Sequence, residues 1–357
     1  MFCETLILDV ILPFVSNHFT CLYQETIVMD RPKVFVTRNY HPEAVNLLEQ
    51  EFDVEVWDTN IPPPREVILD KVTEVQGMMT EAFDSIDREV VETAATLRVV
   101  ANRAVGTDNF DVVAASNKGI LLANTPGILH ETCADMTFAL MLGVARRVVY
   151  ADRQVRAGAW KVLDQSAYLG FDVNGKILGI VGIGQIAQAV IKRAIGFNME
   201  VIYFSRTRRP EIEHKYGIRW VKDVSAILSE SDFVSMHVPL TTETRGILGI
   251  NEFKKMKKSA ILVNTSRGPV VDSLALYQAL SNGLIAGAGL DVVDPEPMPP
   301  DHPLLTFPNV VVTPHIASAS TTTFSGMAIM AAENIIAALN GKKMPSCINS
   351  DLLLRDV

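Results

Sequence analysis

Short apolar runs recur along the chain from residue 33 onward, and stretches whose apolar residues repeat at helical spacing separate them. Because strands of a buried parallel sheet read as continuous apolar runs, this alternation predicts βαβ units on parallel sheets. The predicted strands, several of which run into a turn, lie at residues 34–36, 54–57, 75–79, 97–102, 119–127, 177–181, 201–204, 233–240, 260–268, 285–292 and 310–315. The predicted helices lie at residues 41–51, 65–72, 131–157, 186–194 and 324–339.

One stretch, residues 176–210, reads as strand, tight glycine turn, helix and strand. At its turn Gly182 permits the change of direction, Gly184 lets the backbone approach a pyrophosphate, and Ala187 is small enough for a helix to pack closely on a strand. The N-terminus of the following helix offers free N–H groups and the positive end of its dipole. The motif therefore predicts dinucleotide binding, and the alternative is a βα turn that binds nothing.

Three side chains after later strands could carry chemistry: Arg267, Glu296 and His315. An arginine at a strand end can clamp a carboxylate, a histidine can pass a proton near neutral pH, and a nearby carboxylate can orient that histidine. With a hydride from nicotinamide, the three would reduce a 2-oxo acid. Taken singly they fit plainer roles, namely a surface ion pair, a solvated loop carboxylate and a core histidine, and spacing alone does not bring them together.

Composition narrows the classes of function. With 357 residues the chain is long enough for about two domains, and 48% hydrophobic residues can build large cores. The net charge of −9 gives no electrostatic basis for binding nucleic acid or an anionic membrane. The four cysteines are scattered without a CxxC pair, which argues against a disulfide framework or a metal site and favours a reducing compartment. No apolar run reaches the length of a membrane span, so we expect a cytoplasmic protein.

The chain resembles the D-2-hydroxyacid dehydrogenases from about residue 33 to residue 348. The motifs that carry this resemblance, which are highly specific in combination, are residues 105–111, 124–127, 182–187, 264–268, 289–292, 294–297 and 314–318.

The resemblance implies an α/β protein of two doubly wound parallel-sheet domains, in which a Rossmann NAD(P)-binding domain is inserted into a flavodoxin-like substrate-binding domain. The boundaries we expect are 31–127 with 316–357 for the discontinuous substrate-binding domain and 128–315 for the Rossmann domain. Residues 1–30 are predicted to be a poorly ordered extension. The family also implies a homodimer, and the predicted 131–157 helix would pack between domains or subunits.

The resemblance also implies roles for individual residues. Arg267 would bind the substrate carboxylate and carbonyl, and Glu296 would pair with His315, which would protonate the oxygen. The backbone N–H groups of Val105 and Gly106 would hold the carboxylate. The family glutamate of the interdomain helix corresponds to Asp135 here, with little expected effect.

The cofactor site that the resemblance implies extends well beyond the glycine turn. Asp291 would meet the nicotinamide carboxamide. The full predicted set is Thr132, Gly182, Gly184, Gln185, Ile186, Ser205, Arg206, Arg208, Val238, Pro239, Thr265 and Asp291.

The end of the second strand of this motif bears on which dinucleotide is bound. NAD-binding sites usually carry an acid there, on the ribose 2′-hydroxyl. Residues 205–209 read Ser-Arg-Thr-Arg-Arg instead, so no acid would repel a 2′-phosphate and three arginines could bind one. The sequence therefore predicts a preference for NADP(H), with NAD(H) possible. The plainer alternative is a solvated basic turn.

Within the family the chain most resembles the glyoxylate/hydroxypyruvate reductases, which implies reduction of glyoxylate to glycolate and of hydroxypyruvate to D-glycerate. Another D-2-hydroxyacid dehydrogenase activity, of the short phosphoglycerate or D-lactate type, stays open. So does a dinucleotide-sensing corepressor, since such relatives keep Arg267, Glu296 and His315. Residues 77–83 are expected to face the substrate side chain, but the preferred 2-oxo acid and the direction in the cell do not follow from the sequence.

Overall fold

The chain folds around two parallel β-sheets. The computed structural model describes residues 31–351, so the predicted extension at 1–30 and the last residues of the predicted substrate-binding domain lie outside the described residues. The strands are β1 (Lys33–Val36), β2 (Asp53–Val56), β3 (Gly77–Thr80), β4 (Val99–Asn102), β5 (Leu121–Ala123), β6 (Ile177–Val181), β7 (Glu200–Phe204), β8 (Arg219–Trp220), β9 (Phe233–Met236), β10 (Ile261–Asn264), β11 (Gly287–Leu290) and β12 (Val310–Val312).

Helices connect nearly all of these strands, as parallel pairing requires. The α-helices are α1 (Pro42–Glu49), α2 (Arg65–Lys71), α3 (Arg88–Thr93), α4 (Val112–Lys118), α5 (His130–Ala145), α6 (Val148–Arg156), α7 (Gln185–Gly196), α8 (Pro210–Tyr216), α9 (Val224–Glu230), α10 (Ile250–Phe253), α11 (Ser273–Ser281) and α12 (Thr321–Leu339). Short 3-10 helices lie at Gln165–Tyr168, Gly268–Val270 and Pro303–Thr306.

The strand orders identify both sheets as doubly wound. The first sheet has the order β2-β1-β3-β4-β5 and the second the order β12-β11-β10-β9-β6-β7-β8. All of their pairings are parallel. The first order is that of flavodoxin-like sheets, and the second contains the Rossmann order, with β6 and β9 flanking the point where the winding reverses. The predicted fold class is therefore confirmed.

The last helix, α12, returns the chain to the first sheet. Its residues Ala328, Ala331 and Ile335 are fully buried in one hydrophobic core with Val34 and Val99 of the first sheet. By length and composition alone α12 could cross a membrane, but its buried residues pack inside the protein. The domain boundaries at residues 127 and 315, and the naming of the first domain as substrate-binding, stay predictions.

The single helix predicted at 131–157 is wrong. Two helices, α5 and α6, occupy this stretch, and they are separated at Arg147, whose φ of 56° is left-handed. The carbonyl of Ala145 accepts the N–H of Phe171 at 2.8 Å, so it is held by the following loop rather than by a continued helix. Because no glycine or proline marks the break, the helical pattern of the sequence runs straight through it.

Candidate active site

A cleft of about 510 Å³ lies where the carboxyl ends of the two sheets face each other. Loops after β3 and β4 line one side, and loops after β6, β9, β10 and β12 line the other. In open α/β sheets ligands bind beyond the carboxyl ends of the strands, so this is the expected place for a ligand. Arg267 and His315 both line the cleft, and Glu296 contacts His315 there.

Arg267 crosses the cleft and is held by an acid from the first sheet. Its Nε donates to Asp108 at 2.9 Å, and its Nη1 donates to the backbone oxygen of Ser266 at 2.8 Å. Its Nη2 lies 2.9 Å from Asp108 Oδ1. Partial burial would raise the pKa of Asp108, but the hydrogen bond and charge of Arg267 outweigh burial and keep that pKa below its ordinary value. Since arginine has five N–H donors, Nη1 and Nη2 keep donors available for a ligand.

The predicted substrate-binding residues Val105 and Gly106 lie directly against this guanidinium. A Cβ on Gly106 would stand 1.5 Å from Arg267 Nη2, so a larger residue there would displace the guanidinium. Asn124 donates to the Val105 carbonyl at 2.9 Å and Asn102 to the Gly106 carbonyl at 3.3 Å. Among the described residues no acceptor takes the N–H group of either Val105 or Gly106. Amide and guanidinium donors thus converge, as a carboxylate ligand requires.

His315 and Glu296 form a hydrogen-bonded pair beside these donors. His315 Nδ1 lies 2.7 Å from Glu296 Oε1, and the two side chains are 25% and 22% exposed. A carboxylate on Nδ1 favours the tautomer with the proton there and leaves Nε2 facing other partners. The ring of Phe83, in the loop after β3 that was expected to face the substrate, stands edge-on to His315 at 5.4 Å.

The glycine turn fits a dinucleotide. Gly182 has φ 100°, and a Cβ there would meet the His237 backbone oxygen at 2.2 Å, so the protein itself requires this glycine. Gly184 is different, since its Cβ would meet no described atom within 4 Å although Gly184 lines the cleft. No described side chain caps the N-terminus of α7. Open space at Gly184 and uncapped N–H groups from Gln185 onward are what an approaching pyrophosphate needs.

The basic turn after β7 offers fewer free arginines than the sequence indicates. Arg208 is bound by both oxygens of Glu213, at 2.9 and 2.8 Å, and Arg209 by Glu211 at 2.7 Å. Arg206 has no carboxylate partner among the described residues. A hydrogen bond from Thr241 and, to a smaller extent, the charge of Arg206 lower the pKa of Glu243. Thr241, which binds Glu243, lines the cleft.

Ser205, in the basic turn, does not line the cleft, and its hydroxyl donates to the Thr207 carbonyl at 2.6 Å. The remaining predicted cofactor residues fall into two groups. Val238, Pro239 and Thr265 line the cleft together with Gln185 and Ile186. The side chains of Thr132 and Asp291 make contacts elsewhere. Thr132 shares hydrogen bonds with Thr323 at 2.6 Å and Ser320 at 3.3 Å, at the start of α12. Asp291 is 1% exposed, and its carboxylate binds the turn that carries His315.

Sequence reasoning missed several polar residues of the cleft. Asp108 was inside a recognised motif but was given no role, and its contact with Arg267 spans 159 residues of sequence. Glu81 and Arg103 line the first-sheet side of the cleft and bind each other at 2.6 and 2.7 Å. Glu81 lies within residues 77–83, which were expected to face the substrate, but neither it nor Arg103 was given a role. A charged residue directly after an apolar strand is the signal that could have identified both.

His237, directly after β9, also lines the cleft. Its Nε2 lies 2.8 Å from the hydroxyl of Ser235, and burial lowers the pKa of His237 to about 4. This histidine is therefore neutral at physiological pH and contributes no charge to the cleft.

Comparison with known proteins gives consistent matches. A family model described as the D-isomer specific 2-hydroxyacid dehydrogenase, NAD binding domain, matches residues 138–317. A glyoxylate reductase of Korarchaeum cryptofilum is 49% identical over 324 residues, which cover 90% of this chain and 97% of that protein.

Solved structures with the same fold also cover most of the chain. A protein from Thermus thermophilus is 44% identical with a TM-score of 0.83, and the match covers 88% of this chain and 99% of that one. An NADPH-dependent glyoxylate/hydroxypyruvate reductase from Sinorhizobium meliloti, in complex with NADP and malonate, is 28% identical with a TM-score of 0.78. That match covers 89% of this chain and 97% of the relative.

Proposed function

The chain belongs to the D-isomer specific 2-hydroxyacid dehydrogenase family, and from this premise we propose that it uses NADPH to reduce glyoxylate to glycolate and hydroxypyruvate to D-glycerate. It is an NAD(P)-dependent oxidoreductase acting on a small acid. The observation that carries the proposal is the convergence of free donors from Arg267, Val105 and Gly106 beside the His315–Glu296 pair. The names of the relatives support the choice of substrates.

Arg267 anchors the substrate in this proposal. Its remaining N–H groups, with the amides of Val105 and Gly106, bind the carboxylate and polarise the neighbouring 2-oxo group. Asp108 accepts a hydrogen bond from Nε of Arg267 and so holds the guanidinium in place, which keeps the donors that face the cleft oriented. A fixed arrangement of this kind lowers the barrier because negative charge grows on the carbonyl oxygen during reduction.

His315 is the proposed general acid. Glu296 holds Nδ1, stabilises the imidazolium and leaves Nε2 to donate a proton to the oxygen that becomes the 2-hydroxyl. A nicotinamide dinucleotide, when bound, supplies the hydride. The residues proposed to hold it are Gly182, Gly184, the N-terminus of α7, Val238, Pro239 and Thr265, with Asp291 and Thr132 behind them.

The substrate is tested by following NADPH oxidation with glyoxylate, hydroxypyruvate, pyruvate and bulkier 2-oxo acids. We expect the highest kcat/KM for glyoxylate or hydroxypyruvate. A preference for pyruvate or phosphohydroxypyruvate would favour another activity of the same family. Tight cofactor binding without turnover of any of these acids would contradict the proposal and favour the corepressor alternative.

The proposed NADP(H) preference now rests on Arg206, because Glu213 and Glu211 already bind the neighbouring arginines. Arg206→Asp places an acid where NAD enzymes carry one, and we expect kcat/KM for NADPH to fall about tenfold while NADH is tolerated better. Arg209→Ala, which removes an arginine already bound by Glu211, is the matched control and should change the ratio little. Equal use of both cofactors, with Arg206→Asp neutral, would contradict the preference.

We also propose that the protein is a cytoplasmic homodimer and that the first sheet with α12 forms the substrate-binding domain. The helix α6 has no buried residue, and a surface on it and the following loop exposes large apolar side chains. These are Val148, Val155, Trp160, Val162, Leu163, Leu169 and Phe171, each 43% exposed or more. Such a surface is typical of an interface. Light scattering should report a dimer, and Leu163→Asp should shift it toward the monomer.

A further inference from the structure

Two buried side chains stand behind the reactive residues without lining the cleft. We propose that Asp291 and Asn264 are positioning residues of the reaction, Asp291 for the proton donor His315 and Asn264 for the substrate anchor Arg267. Each is 1% exposed, and neither is among the described residues that line the cleft. The proposal rests on the proposed function, because it takes the roles of His315 and Arg267 from there.

Asp291 organises the whole turn from residue 313 to residue 317. Its Oδ1 accepts the Thr313 hydroxyl at 2.5 Å and the Ile316 N–H at 2.9 Å, and its Oδ2 accepts the Ala317 N–H at 2.7 Å. Its backbone oxygen accepts the His315 N–H at 2.8 Å. One residue therefore binds the chain before, at and after the proposed general acid.

This turn needs such support because His315 has a φ of 53°. The left-handed region is costly for a residue with a Cβ, and a non-glycine residue stays there only when its surroundings enforce it. The hydrogen bonds from Thr313, Ile316 and Ala317 to one buried carboxylate are that enforcement. They fix the direction in which the imidazole leaves the backbone, and hence where Nε2 points.

Asn264 plays the corresponding part for Arg267. Its Nδ2 donates to the Arg267 backbone oxygen at 2.9 Å, and its Oδ1 accepts the Ser266 N–H at 3.1 Å and hydroxyl at 2.9 Å. The Ser266 carbonyl in turn accepts Arg267 Nη1 at 2.8 Å. Asn264 thus sets both the backbone that carries the arginine and one contact of the guanidinium.

The two positioning residues are neighbours on paired strands. Asn264 ends β10 opposite Leu290 of β11, and Asp291 is the next residue. The Asp291 N–H donates to the Asn264 backbone oxygen at 2.9 Å. The reactive turns are therefore fixed to one rigid sheet edge, which sets the separation of Arg267 and His315.

Asp291 and Asn264 are equally buried, but Asp291 supports His315 and Asn264 supports Arg267. If the two residues only stabilised the fold, their variants would change the kinetics in the same way, whereas positioning predicts different changes. For Asp291→Asn we expect kcat with glyoxylate to fall about tenfold to hundredfold, with KM within about threefold. For Asn264→Ala we expect KM to rise about tenfold or more, with a smaller loss in kcat. Thr313→Val and Ser266→Ala are milder versions that remove one hydrogen bond from each turn and should shift the same parameter less.

Binding and spectroscopy test the proposal independently of turnover. Calorimetry with malonate on the NADP-loaded protein should show about tenfold weaker binding for Asn264→Ala and little change for Asp291→Asn. The imidazole resonances of His315, in nitrogen-15 NMR, should broaden in Asp291→Asn and Thr313→Val only. Asn349→Ala, at a buried asparagine that binds the backbone of Leu122 and Ile120, should lower the Tm without either change.

Three results would overturn the inference. The first is the same proportional change of kcat and KM in Asp291→Asn and Asn264→Ala, which marks a purely structural role. The second is weaker NADPH binding by Asp291→Asn with normal kcat at saturation, which marks a cofactor contact instead. The third is wild-type malonate binding by Asn264→Ala together with sharp His315 resonances in Asp291→Asn. If the wild type turns over no 2-oxo acid, the proposed function fails, and the malonate and NMR results still decide on positioning.

Discussion

Each of the two sheets carries a hydrogen-bonded histidine–glutamate pair near its carboxyl edge, and the two pairs differ in burial and in the ring nitrogen that contacts the carboxylate. In the cleft pair, His315 and Glu296 lie 2.7 Å apart and are 25% and 22% exposed. In the inner pair, His41 and Glu81 lie 2.9 Å apart, with side chains only 1% and 9% exposed. Residue type and the distance between the two side chains would assign both pairs the same chemistry.

The inner pair belongs to a buried network that also includes Arg103. Arg103 binds both oxygens of Glu81, at 2.7 and 2.6 Å, and its guanidinium stacks 4.4 Å above the ring of Phe324 from α12. Burial lowers the pKa of His41, although the hydrogen bond to Glu81 acts in the opposite direction. Burial would raise the pKa of Glu81, but its hydrogen bond to His41 and the charge of Arg103 keep that pKa below its ordinary value. Both oxygens of Glu81 are therefore paired, whereas Nδ1 of His41 is buried and has no hydrogen-bond partner among the described residues.

The cleft pair retains free bonding capacity. His315 lines the cleft with its Nδ1 held by Glu296. Arg267 lines it with its Nε held by Asp108, and although Nη1 and Nη2 also contact Ser266 and Asp108, each keeps a further N–H donor. A histidine–glutamate pair can therefore act on a substrate only where a donor both lines the cleft and is not used by another group of the protein. Buried groups that bind one another stabilise the fold, whereas oriented groups that line a cleft and keep a donor are available to a substrate.

The largest effect that we expect is on the free energy of unfolding, when the glutamate of the inner pair loses its charge. Glu81→Gln removes the carboxylate from buried Arg103, and because an unpaired buried charge is costly the free energy of unfolding should fall by about 3–5 kcal/mol. Urea denaturation measures this loss. The matched variant Glu296→Gln, at the partly exposed cleft pair, should cost about 1 kcal/mol or less. Equal losses for the two variants would show that burial does not separate the pairs.

The second effect is on kcat/KM and concerns the planar shape of the Arg267 guanidinium. Arg267→Lys keeps the charge but removes the planar fork that binds Asp108 and leaves the Nη groups for a ligand. We expect kcat/KM for glyoxylate to fall about hundredfold, which is about 2.7 kcal/mol. Arg65→Lys is the control, since Arg65 forms surface ion pairs with Asp87 and Glu89 at the start of α3. An unchanged kcat/KM in Arg267→Lys would mean that charge alone is enough.

A third histidine, His237, differs from both pairs because it hydrogen-bonds to Ser235 and not to an acid. Its pKa is about 4 in the folded protein and about 6.5 in an unfolded chain. Between these values the unfolded state binds more protons, so stability is complete above pH 6.5 and is lost as the pH falls toward 4. From pH 7 to pH 5 the stability advantage of the wild type over His237→Gln should shrink by about 1–2 kcal/mol. A constant difference would contradict this.

The sequence predicts the sheets well because buried parallel strands are short apolar runs, and β6, β9 and β10 all lie within predicted strands. It predicts the helices less completely. Helices α3, α4, α9 and α11 are absent from the prediction, although each begins at an aspartate whose side chain accepts a backbone N–H of the first turn. Those N-caps are a local signal that could have been used. The break at Arg147 depends on contacts with the following loop and has no local signal.

For the site, the sequence predicts Arg267, Glu296 and His315 from the chemistry of these residue types and from the family resemblance, and the structure brings the three to one cleft. The sequence does not show that Asp108 binds Arg267 or that Glu211 and Glu213 bind two of the three arginines in the basic turn, since side-chain direction decides these contacts. It also cannot separate the inner pair from the cleft pair. Burial separates them, and burial depends on how α12 packs on the first sheet.

The most direct test of this account is one experiment on two variants, His315→Gln and His41→Gln, in which kcat for glyoxylate with NADPH and the Tm are measured together. We predict that His315→Gln lowers kcat by about 10²–10⁴-fold, as expected for loss of a general acid, while its Tm stays close to that of the wild type. We predict that His41→Gln lowers the Tm and leaves kcat per folded molecule within about threefold. A His315→Gln enzyme with near-normal kcat, or a His41→Gln enzyme that is stable but inactive, would contradict the account.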